Sequence, residues 1–197
     1  MFQEIPAGSF LHPRLPGLIP NSSRLEHDWF DCNLPKNIHI GERSWLHSSY
    51  AFIHYQRQCA PAVYIGHDSG VYVDTYFDLG PEGSVHIGNF CSLVGVIICS
   101  NRRVVIEDYV FIAHEVVIAD SFAAVPGRHQ KAEAGESSSQ EPAVFIGEGA
   151  WIGTSVTLLA GSYIVRGAIV GAGAVVHSRV PDYSVVAGNP SRVLKSA

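Results

Sequence analysis

The sequence has little charge and no pair of cysteines at the spacing of a redox or zinc motif. Charged side chains make up 16% of the 197 residues, and the formal net charge is −5. A chain of this balance offers no basic face that would neutralise several phosphates, which argues against nucleic-acid binding. Because the four cysteines show no CxxC spacing, we expect them to behave as small apolar residues. We therefore expect the protein in a reducing compartment, the cytoplasm.

Long apolar segments are also missing. No run of the sequence is long enough to cross a bilayer, and the first ten residues lack the basic and apolar regions of a secretory signal. We therefore expect neither a membrane span nor export. The length of 197 residues and the hydrophobic content of 47% are typical of one domain with a long buried core and an interface.

The sequence instead carries a strict repeat of six residues in its C-terminal half. An aliphatic residue occupies every sixth position, and the residue four places after it is small or β-branched. This period is neither that of an α-helix nor that of a simple strand. It indicates a parallel β-helix, in which three hexads make one triangular coil. The aliphatic series is Ile146, Ile152, Leu158, Ile164, Val170 and Val176.

The same period appears earlier, in two pieces. The register places Cys91 and Cys99 inside the prism or at its corners. The separation of Ile118 from Ile146 is not a multiple of six, so we expect a loop to leave the prism between two coils. One predicted coil contains Ile87, Leu93 and Cys99, and the next contains Ile106, Ile112 and Ile118.

These patterns predict an all-β chain with one continuous repeat domain. Residues 1–37, which hold five prolines, are predicted to form an irregular N-terminal capping segment. Residues 38–189 form the β-helix, with an extruded loop at about 119–145. Residues 190–197 form a C-terminal tail that leaves the helix at Pro190.

Three stretches of the sequence resemble the hexapeptide-repeat acyltransferases, the group that includes the galactoside and maltose acetyltransferases. They begin at Ile146, Ile169 and Val186 and read IGEGAWIG, IVGAGAVV and VAGNPSRV. The resemblance implies a left-handed β-helix that moves an acyl group, usually from acetyl-CoA, to a hydroxyl or amine of a sugar or other small polar acceptor. It further implies a homotrimer with active sites between neighbouring prisms, and no metal.

In this family a histidine serves as general base, and two histidines are candidates here. His114 lies in a stretch, Ile-Ala-His-Glu, that is similar to the site of the base in sugar-nucleotide acyltransferases of lipid A synthesis. Glu115 or Asp120 would orient its second nitrogen. His129 lies on the extruded loop, where galactoside-type enzymes carry their base. A rigid coil positions a base better than a loop, which favours His114, but both alternatives stay open.

The resemblance also assigns residues to the acyl donor. Thr154 and Ala172 match positions where related enzymes contact the pantetheine arm of CoA, and Ser178 matches the end of that run. Arg192 and Lys195 match basic residues of the tail that meet the CoA phosphates, a role suited to cationic side chains.

One departure from the family keeps two other functions open. Galactoside-type enzymes supply an asparagine near the base from the coil equivalent to residues 89–96. Here that stretch reads Cys-Ser-Leu-Val-Gly from Cys91, so the asparagine is absent. A diverged or non-catalytic scaffold is therefore one alternative. The other is a metalloenzyme of the γ-carbonic anhydrase type, which needs three converging histidines. His86 and His114 would supply two. The third histidine should follow the second by about five residues, but positions 119 and 120 are alanine and aspartate.

Overall fold

The structure is a computed structural model that describes residues 23–58, 60–120 and 141–196. Within these residues the chain forms twenty short strands and one 3-10 helix. The strands are two to five residues long. Such short strands follow from the repeat, because each hexad supplies one inward aliphatic residue and then a corner.

The strands stack in three parallel sheets, one on each side of a triangular prism. Sheet I contains β1 (Ile38–Ile40), β3 (Val63–Ile65), β6 (Ser84–Ile87), β9 (Arg103–Ile106), β12 (Val144–Ile146), β15 (Tyr163–Ile164) and β18 (Arg179–Val180). Sheet II contains β2 (Trp45–Leu46), β4 (Gly70–Val71), β7 (Ser92–Leu93), β10 (Phe111–Ile112), β13 (Trp151–Ile152), β16 (Ile169–Val170), β19 (Val185–Ala187) and β20 (Arg192–Lys195). Sheet III contains β5 (Tyr76–Leu79), β8 (Val96–Ser100), β11 (Val116–Ala119), β14 (Thr157–Leu159) and β17 (Val175–Val176).

From β3 to β17 each coil contributes one strand to every sheet in turn, and neighbouring coils pair in parallel and in register. Ile112 pairs with Ile152, for example, and Ile152 pairs with Val170. The described strands make about six turns of this solenoid. The predicted fold class, an all-β left-handed parallel β-helix, is confirmed.

The repeat of six correctly identifies the core of the C-terminal half. All six aliphatic residues from Ile146 to Val176 are at most 1% exposed. Ile106, Ile112 and Ile118 are likewise fully buried. Equivalent positions of successive coils therefore stack into columns of aliphatic side chains. Burial of each side chain stabilises the fold by about 1.5–3 kcal/mol.

The predicted inward position of Cys99 is wrong. The third inward residue of that coil is Ile98, and Cys99 points outward from β8, half-buried, with its Sγ 3.8 Å from an oxygen of Asp78. Burial, together with the nearby Asp78 charge, raises the pKa of the Cys99 thiol to about 11. The register shifts because only Val94 and Gly95 lie between β7 and β8, one residue fewer than in the next coil. Cys91 is buried at a corner, as predicted.

The two ends of the prism are closed differently. In the first coil a 3-10 helix, Ser49–Phe52, takes the place of a strand of sheet III, and Phe52 stacks on Phe77 with ring centroids 4.9 Å apart. Leu25 and Leu34, which precede β1, are buried in the same core. At the other end the chain leaves the helical course near Pro190 and returns as β20, antiparallel to β19.

Three edges join the sheets. Edge 1 joins sheets I and II through residues 41–44, 66–69, 88–91, 107–110, 147–150, 165–168 and 181–184. Edge 2 joins sheets II and III through residues 72–75, 94–95, 113–115, 153–156 and 171–174. Edge 3 joins sheets III and I.

The predicted extruded loop falls mostly outside the described residues. The strand before it, β11, ends at Ala119, and the strand after it, β12, begins at Val144. His129 belongs to residues 121–140 and therefore lies outside the described part of the chain. Within residues 23–58, 60–120 and 141–196, no helix has the length and apolar content that a membrane span requires.

Candidate functional site

Edge 2 places His114 at an exposed corner of the fourth coil. Ile112 precedes it and is fully buried, so the chain must turn outward before it can enter β11. Glu115 completes the turn with a φ of 61°, the left-handed conformation that such corners require. The turn is rigid on both sides, because it connects two strands that each pair with the coils below and above. His114 is therefore presented to solvent on a fixed backbone.

Edge 2 also brings together three of the predicted site residues. The carbonyl of His114 accepts a hydrogen bond of 2.9 Å from the Ser155 N–H, and the carbonyl of Thr154 accepts one of 2.9 Å from the Gly173 N–H. These bonds hold three successive corners in one register. His114, Thr154 and Ala172 consequently follow one another along the edge, one per coil, at steps of about 4.8 Å.

The backbone above His114 is bare of large side chains. A Cβ on Gly153 would lie 2.8 Å from the Ala172 nitrogen, whereas a Cβ on Gly173 would meet nothing within 4 Å. Adjacent corners are thus tightly stacked on one another but open toward solvent. The side chains of Thr154 and Ala172 are exposed beside them. A narrow, linear molecule would reach both the backbone and the Thr154 hydroxyl along this edge.

The two carboxylates proposed to orient His114 have other partners. Glu115 accepts a hydrogen bond of 2.8 Å from the Ser155 hydroxyl. Asp120 lies at edge 3, at the far end of β11, where it accepts bonds from the Asn101 and Arg102 N–H groups at 2.9 and 3.1 Å. The structure does not bring Asp120 to His114, because the whole of β11 separates them. Among the described residues, none forms a hydrogen bond with the His114 imidazole.

The remaining residues predicted to bind the acyl donor lie in two places, at edge 3 and on β20. Ser178 lies at edge 3, where its carbonyl accepts a bond of 3.3 Å from the Tyr163 N–H, and it is not part of the edge 2 column. Arg192 pairs with Ala187, at the end of β19 that adjoins edge 2. Lys195 pairs with Val185 at the opposite end of β19, about 7 Å away along that strand. Both side chains are exposed. Arg192 is therefore the better placed of the two to meet a ligand on edge 2.

A cavity of about 270 Å³ opens on edge 2 at the first two coils, below His114. One wall is aromatic: the Tyr50 ring lies 5.4 Å from that of Trp29 and 5.8 Å from that of Tyr76. On the other side the Tyr72 ring lies over Gly70, where a Cβ would come within 2.4 Å of the ring. The full lining is Trp29, Leu46, His47, Ser48, Tyr50, Ala51, Tyr72, Val73, Asp74, Thr75 and Tyr76.

Sequence reasoning did not identify this cavity. Trp29 comes from a segment without periodicity, and Tyr50 belongs to the 3-10 helix that replaces a strand. The available signal was the density of tyrosine and aspartate around position 74, where the hexad pattern is interrupted.

A second cavity, of about 380 Å³, lies at edge 1 and the adjoining face of sheet I. Two of its charged groups form an ion pair, Arg166 with Glu148 at 2.6 Å, and Glu107 accepts the Glu148 N–H at 2.9 Å. Burial and the nearby Arg103 lower the pKa of His86, which also lines it. His86 lies on the face of sheet I, away from His114. Within the described residues, no three histidine, cysteine or acidic side chains converge as metal ligands would.

Comparison with known proteins gives no match to a family model but clear similarity to individual proteins. The chain is 30% identical over 142 residues to WbbJ of Escherichia coli K12, named as an O-acetyl transferase of lipopolysaccharide biosynthesis. That match covers 58% of this chain and 72% of WbbJ. The chain is 33% identical over 132 residues to the galactoside O-acetyltransferase of Escherichia coli K12, covering 66% of this chain and 62% of that enzyme.

A solved structure supports the fold. A variant of AntD, an N-acyltransferase from Bacillus cereus in complex with dTDP and coenzyme A, superposes with a TM-score of 0.56 at 17% identity. The superposition covers 80% of this chain and 83% of AntD.

Proposed function

Because the chain belongs to the hexapeptide-repeat acyltransferases, we propose that it transfers an acetyl group from acetyl-CoA to a hydroxyl or amine of a small, sugar-like acceptor. The observation that supports this proposal is the column on edge 2, where His114, Thr154 and Ala172 occupy consecutive coils. The free thiols of Cys32, Cys91 and Cys99 favour the cytoplasm as its compartment.

The upper part of edge 2 fits the donor. Acetyl-CoA supplies an activated thioester on a long, narrow arm. The stacked glycine corners would let the arm lie against the backbone, with the Thr154 hydroxyl and the open corner at Ala172 beside it. Arg192, at the end of the edge, would bind a phosphate of the nucleotide part, and a guanidinium can do so with two parallel hydrogen bonds.

His114 would act as the base at the lower end of this track. Its neutral imidazole takes the proton of the acceptor hydroxyl or amine while the acceptor oxygen or nitrogen forms a bond to the thioester carbonyl carbon. When the carbon–sulfur bond breaks, the imidazolium returns the proton to the departing thiolate, so the base is regenerated. A backbone N–H of a neighbouring corner would stabilise the negative charge on the carbonyl oxygen during the step.

We further propose a homotrimer with its active sites between subunits. The support is an apolar strip on the outer face of sheet II, the sheet that lies between edges 1 and 2: Phe111, Trp151 and Ile169 are the first residues of strands in consecutive coils and are 43%, 52% and 37% exposed. Covering this strip would remove apolar surface from water, worth about 25 cal/mol per Å². A Trp151→Glu variant should shift the mass measured by light scattering toward that of a monomer.

Calorimetric titration with CoA tests the proposal. We expect Ala172→Tyr to weaken CoA binding at least tenfold, because a ring would occupy the donor track on edge 2. The matched control is Ala160→Tyr, an equally exposed alanine on edge 3, which should bind like the wild type. A wild-type protein that binds neither CoA nor acetyl-CoA would refute the proposal and favour a non-catalytic scaffold.

A further inference from the structure

We infer that the acceptor is an uncharged carbohydrate of at least two sugar units, with one ring bound in the edge 2 cavity and a hydroxyl of the next unit at His114. This inference rests on the proposed function, because it takes His114 as the base. It adds the anchoring site, the minimum length and the charge of the acceptor.

The cavity has the size and the chemistry of a site for one sugar ring. Its volume of about 270 Å³ is slightly below that of most ligand sites, about 300–1,000 Å³, which suits a ligand as small as one ring. Trp29, Tyr50 and Tyr76 give it a broad aromatic wall. The C–H face of a pyranose packs on such rings, and its hydroxyls need hydrogen-bonding partners close by.

Asp74 provides a polar group that no other described residue uses. It occupies the corner above the aromatic wall, with a φ of 59° and an exposed side chain. Within the described residues its carboxylate has neither a hydrogen bond nor an ion pair. By contrast, the Ser48 hydroxyl, also in the lining, donates to Asp28 at 2.6 Å. Asp74 is thus available to accept hydrogen bonds from two adjacent hydroxyls of a sugar, which are charge-assisted and therefore strong.

The charge of the lining restricts the ligand further. Among the residues that line this cavity there is no lysine or arginine, and the one carboxylate is Asp74. An anionic group, such as the phosphate of a sugar nucleotide, would meet the Asp74 carboxylate here with no lysine or arginine in the lining to compensate it. The anchored unit is therefore a neutral sugar.

A notch connects the cavity with His114. The Gly95 N–H donates to the Val73 carbonyl at 2.9 Å, and the Glu115 N–H donates to the Gly95 carbonyl at 2.9 Å, so these three corners are stacked directly on one another. The middle corner has two residues, against four in the corner below and three in the corner above, and has no side chain at Gly95. The surface of edge 2 consequently dips between the cavity and His114.

The length of this path sets the length of the acceptor. Asp74 and Glu115 occupy the same corner position two coils apart, a distance of about 10 Å. A six-membered ring with bonds of about 1.5 Å is only about 5 Å across. One ring therefore cannot fill the cavity and also place a hydroxyl at His114. A second ring lying in the Gly95 notch completes the distance.

A printed array of neutral mono-, di- and trisaccharides and of sugar nucleotides, probed with the full-length protein in the presence of CoA, tests the inference. We expect a disaccharide or longer glycan to bind at least tenfold better than each of its component monosaccharides. Trp29→Ala and Asp74→Asn should each reduce that signal at least tenfold without changing the calorimetric affinity for CoA. Binding of no carbohydrate, equal binding of monosaccharides, or preference for sugar nucleotides would overturn the inference, whereas loss of CoA binding would refute the proposed function itself.

Filling the notch gives a second, independent test. Gly95→Asn should fold, because Asp74, Glu115 and Ser155 adopt the same left-handed conformation at this corner position, and asparagine tolerates it well. The added side chain should raise KM for the selected glycan at least tenfold. Gly149→Asn is the matched control, with a φ of 68° and open space on edge 1, and should leave KM unchanged. An unchanged KM in a folded Gly95→Asn protein would show that the acceptor does not bind in the notch.

Discussion

Edges 1 and 2 are built from the same kind of corner, yet they use their polar side chains differently. Both edges repeat a residue with positive φ in successive coils, for example Asp68 and Tyr109 on edge 1 and Asp74 and Glu115 on edge 2. On edge 1 the side chains bind one another. Asp68 accepts two bonds of 2.6 Å from Arg43 and one of 2.7 Å from His67.

The interactions of edge 1 continue up the prism. Phe90 stacks on Tyr109 with ring centroids 4.9 Å apart, and Asp108 accepts the Asn89 N–H at 2.7 Å. On edge 2 the imidazole of His114 and the carboxylate of Asp74 have no such partner among the described residues. Glu115 on edge 2 does bind the Ser155 hydroxyl of the next coil. The difference therefore concerns His114 and Asp74, which edge 2 leaves available for a ligand, whereas the polar side chains of edge 1 stabilise the stack of coils.

The largest expected effect comes from replacing a histidine on edge 2, with the same replacement on edge 1 as its control. His114→Gln should lower kcat/KM by about 10²–10⁴-fold, the usual contribution of a general base. His67→Gln removes an imidazole that is held by Asp68 on edge 1, and should keep activity within threefold of the wild type. Steady-state rates of acetyl transfer measure both. A His114→Gln protein with wild-type activity would remove edge 2 from the chemistry and direct attention to His129.

Stability should show the opposite ranking of the edges. Asp108→Ala leaves the Asn89 N–H without its partner and should lower the free energy of unfolding by about 1–2 kcal/mol. For a chain of this length that corresponds to a fall of about 2–4 °C in Tm for each kcal/mol. Asp74→Ala, on edge 2, should change the free energy by less than about 0.5 kcal/mol. Equal losses in thermal unfolding would show that the two edges do not differ in this way.

A smaller effect is expected at the end of edge 2. Arg192→Ala should weaken CoA binding about fivefold to tenfold, because a charge-assisted bond to phosphate is lost. Arg179→Ala provides the control. The Arg179 guanidinium lies 4.7 Å from the centre of the Tyr163 ring, on sheet I and away from edge 2. If calorimetry finds the two variants equally affected, or equally unaffected, Arg192 is not a donor contact.

The smallest effect is electrostatic and belongs to edge 1. The hydrogen bonds from Arg43 and then from His67 lower the pKa of Asp68 from 3.8 to about 2. Because the folded pKa is the lower one, the stabilisation is present above about pH 4 and is lost as the pH falls toward 2. Arg43→Ala should return the Asp68 pKa toward its ordinary value in an NMR titration. Arg102→Ala, at edge 3, should leave it low; a low pKa in Arg43→Ala would disprove the assignment of its cause.

The fold was largely predictable because the period of six is a property of the sequence alone. From Ile146 to Val176 every inward residue follows from counting. The position of Cys99 did not follow from counting, because one missing residue at the Val94–Gly95 corner shifts the register. A deletion of one residue is not visible in a short aliphatic run.

The site was less predictable, because its contacts join residues that lie far apart in the sequence. The alignment of His114 with Thr154 depends on coils that are 40 residues apart along the chain. Asp120 precedes the loop and was expected near His114, but its partners, Ser100 to Arg102, lie one coil earlier on edge 3. The cavity needs Trp29, which no repeat places.

A crystal structure with bound CoA would test the assignment of edge 2 most directly. We expect the pantetheine arm to follow the corners at Ala172 and Thr154, and the thiol sulfur to lie within about 4 Å of the His114 imidazole, in reach of a proton transfer. A sulfur atom found at edge 3, beside Asp120 and Ser178 of the same subunit, would contradict it.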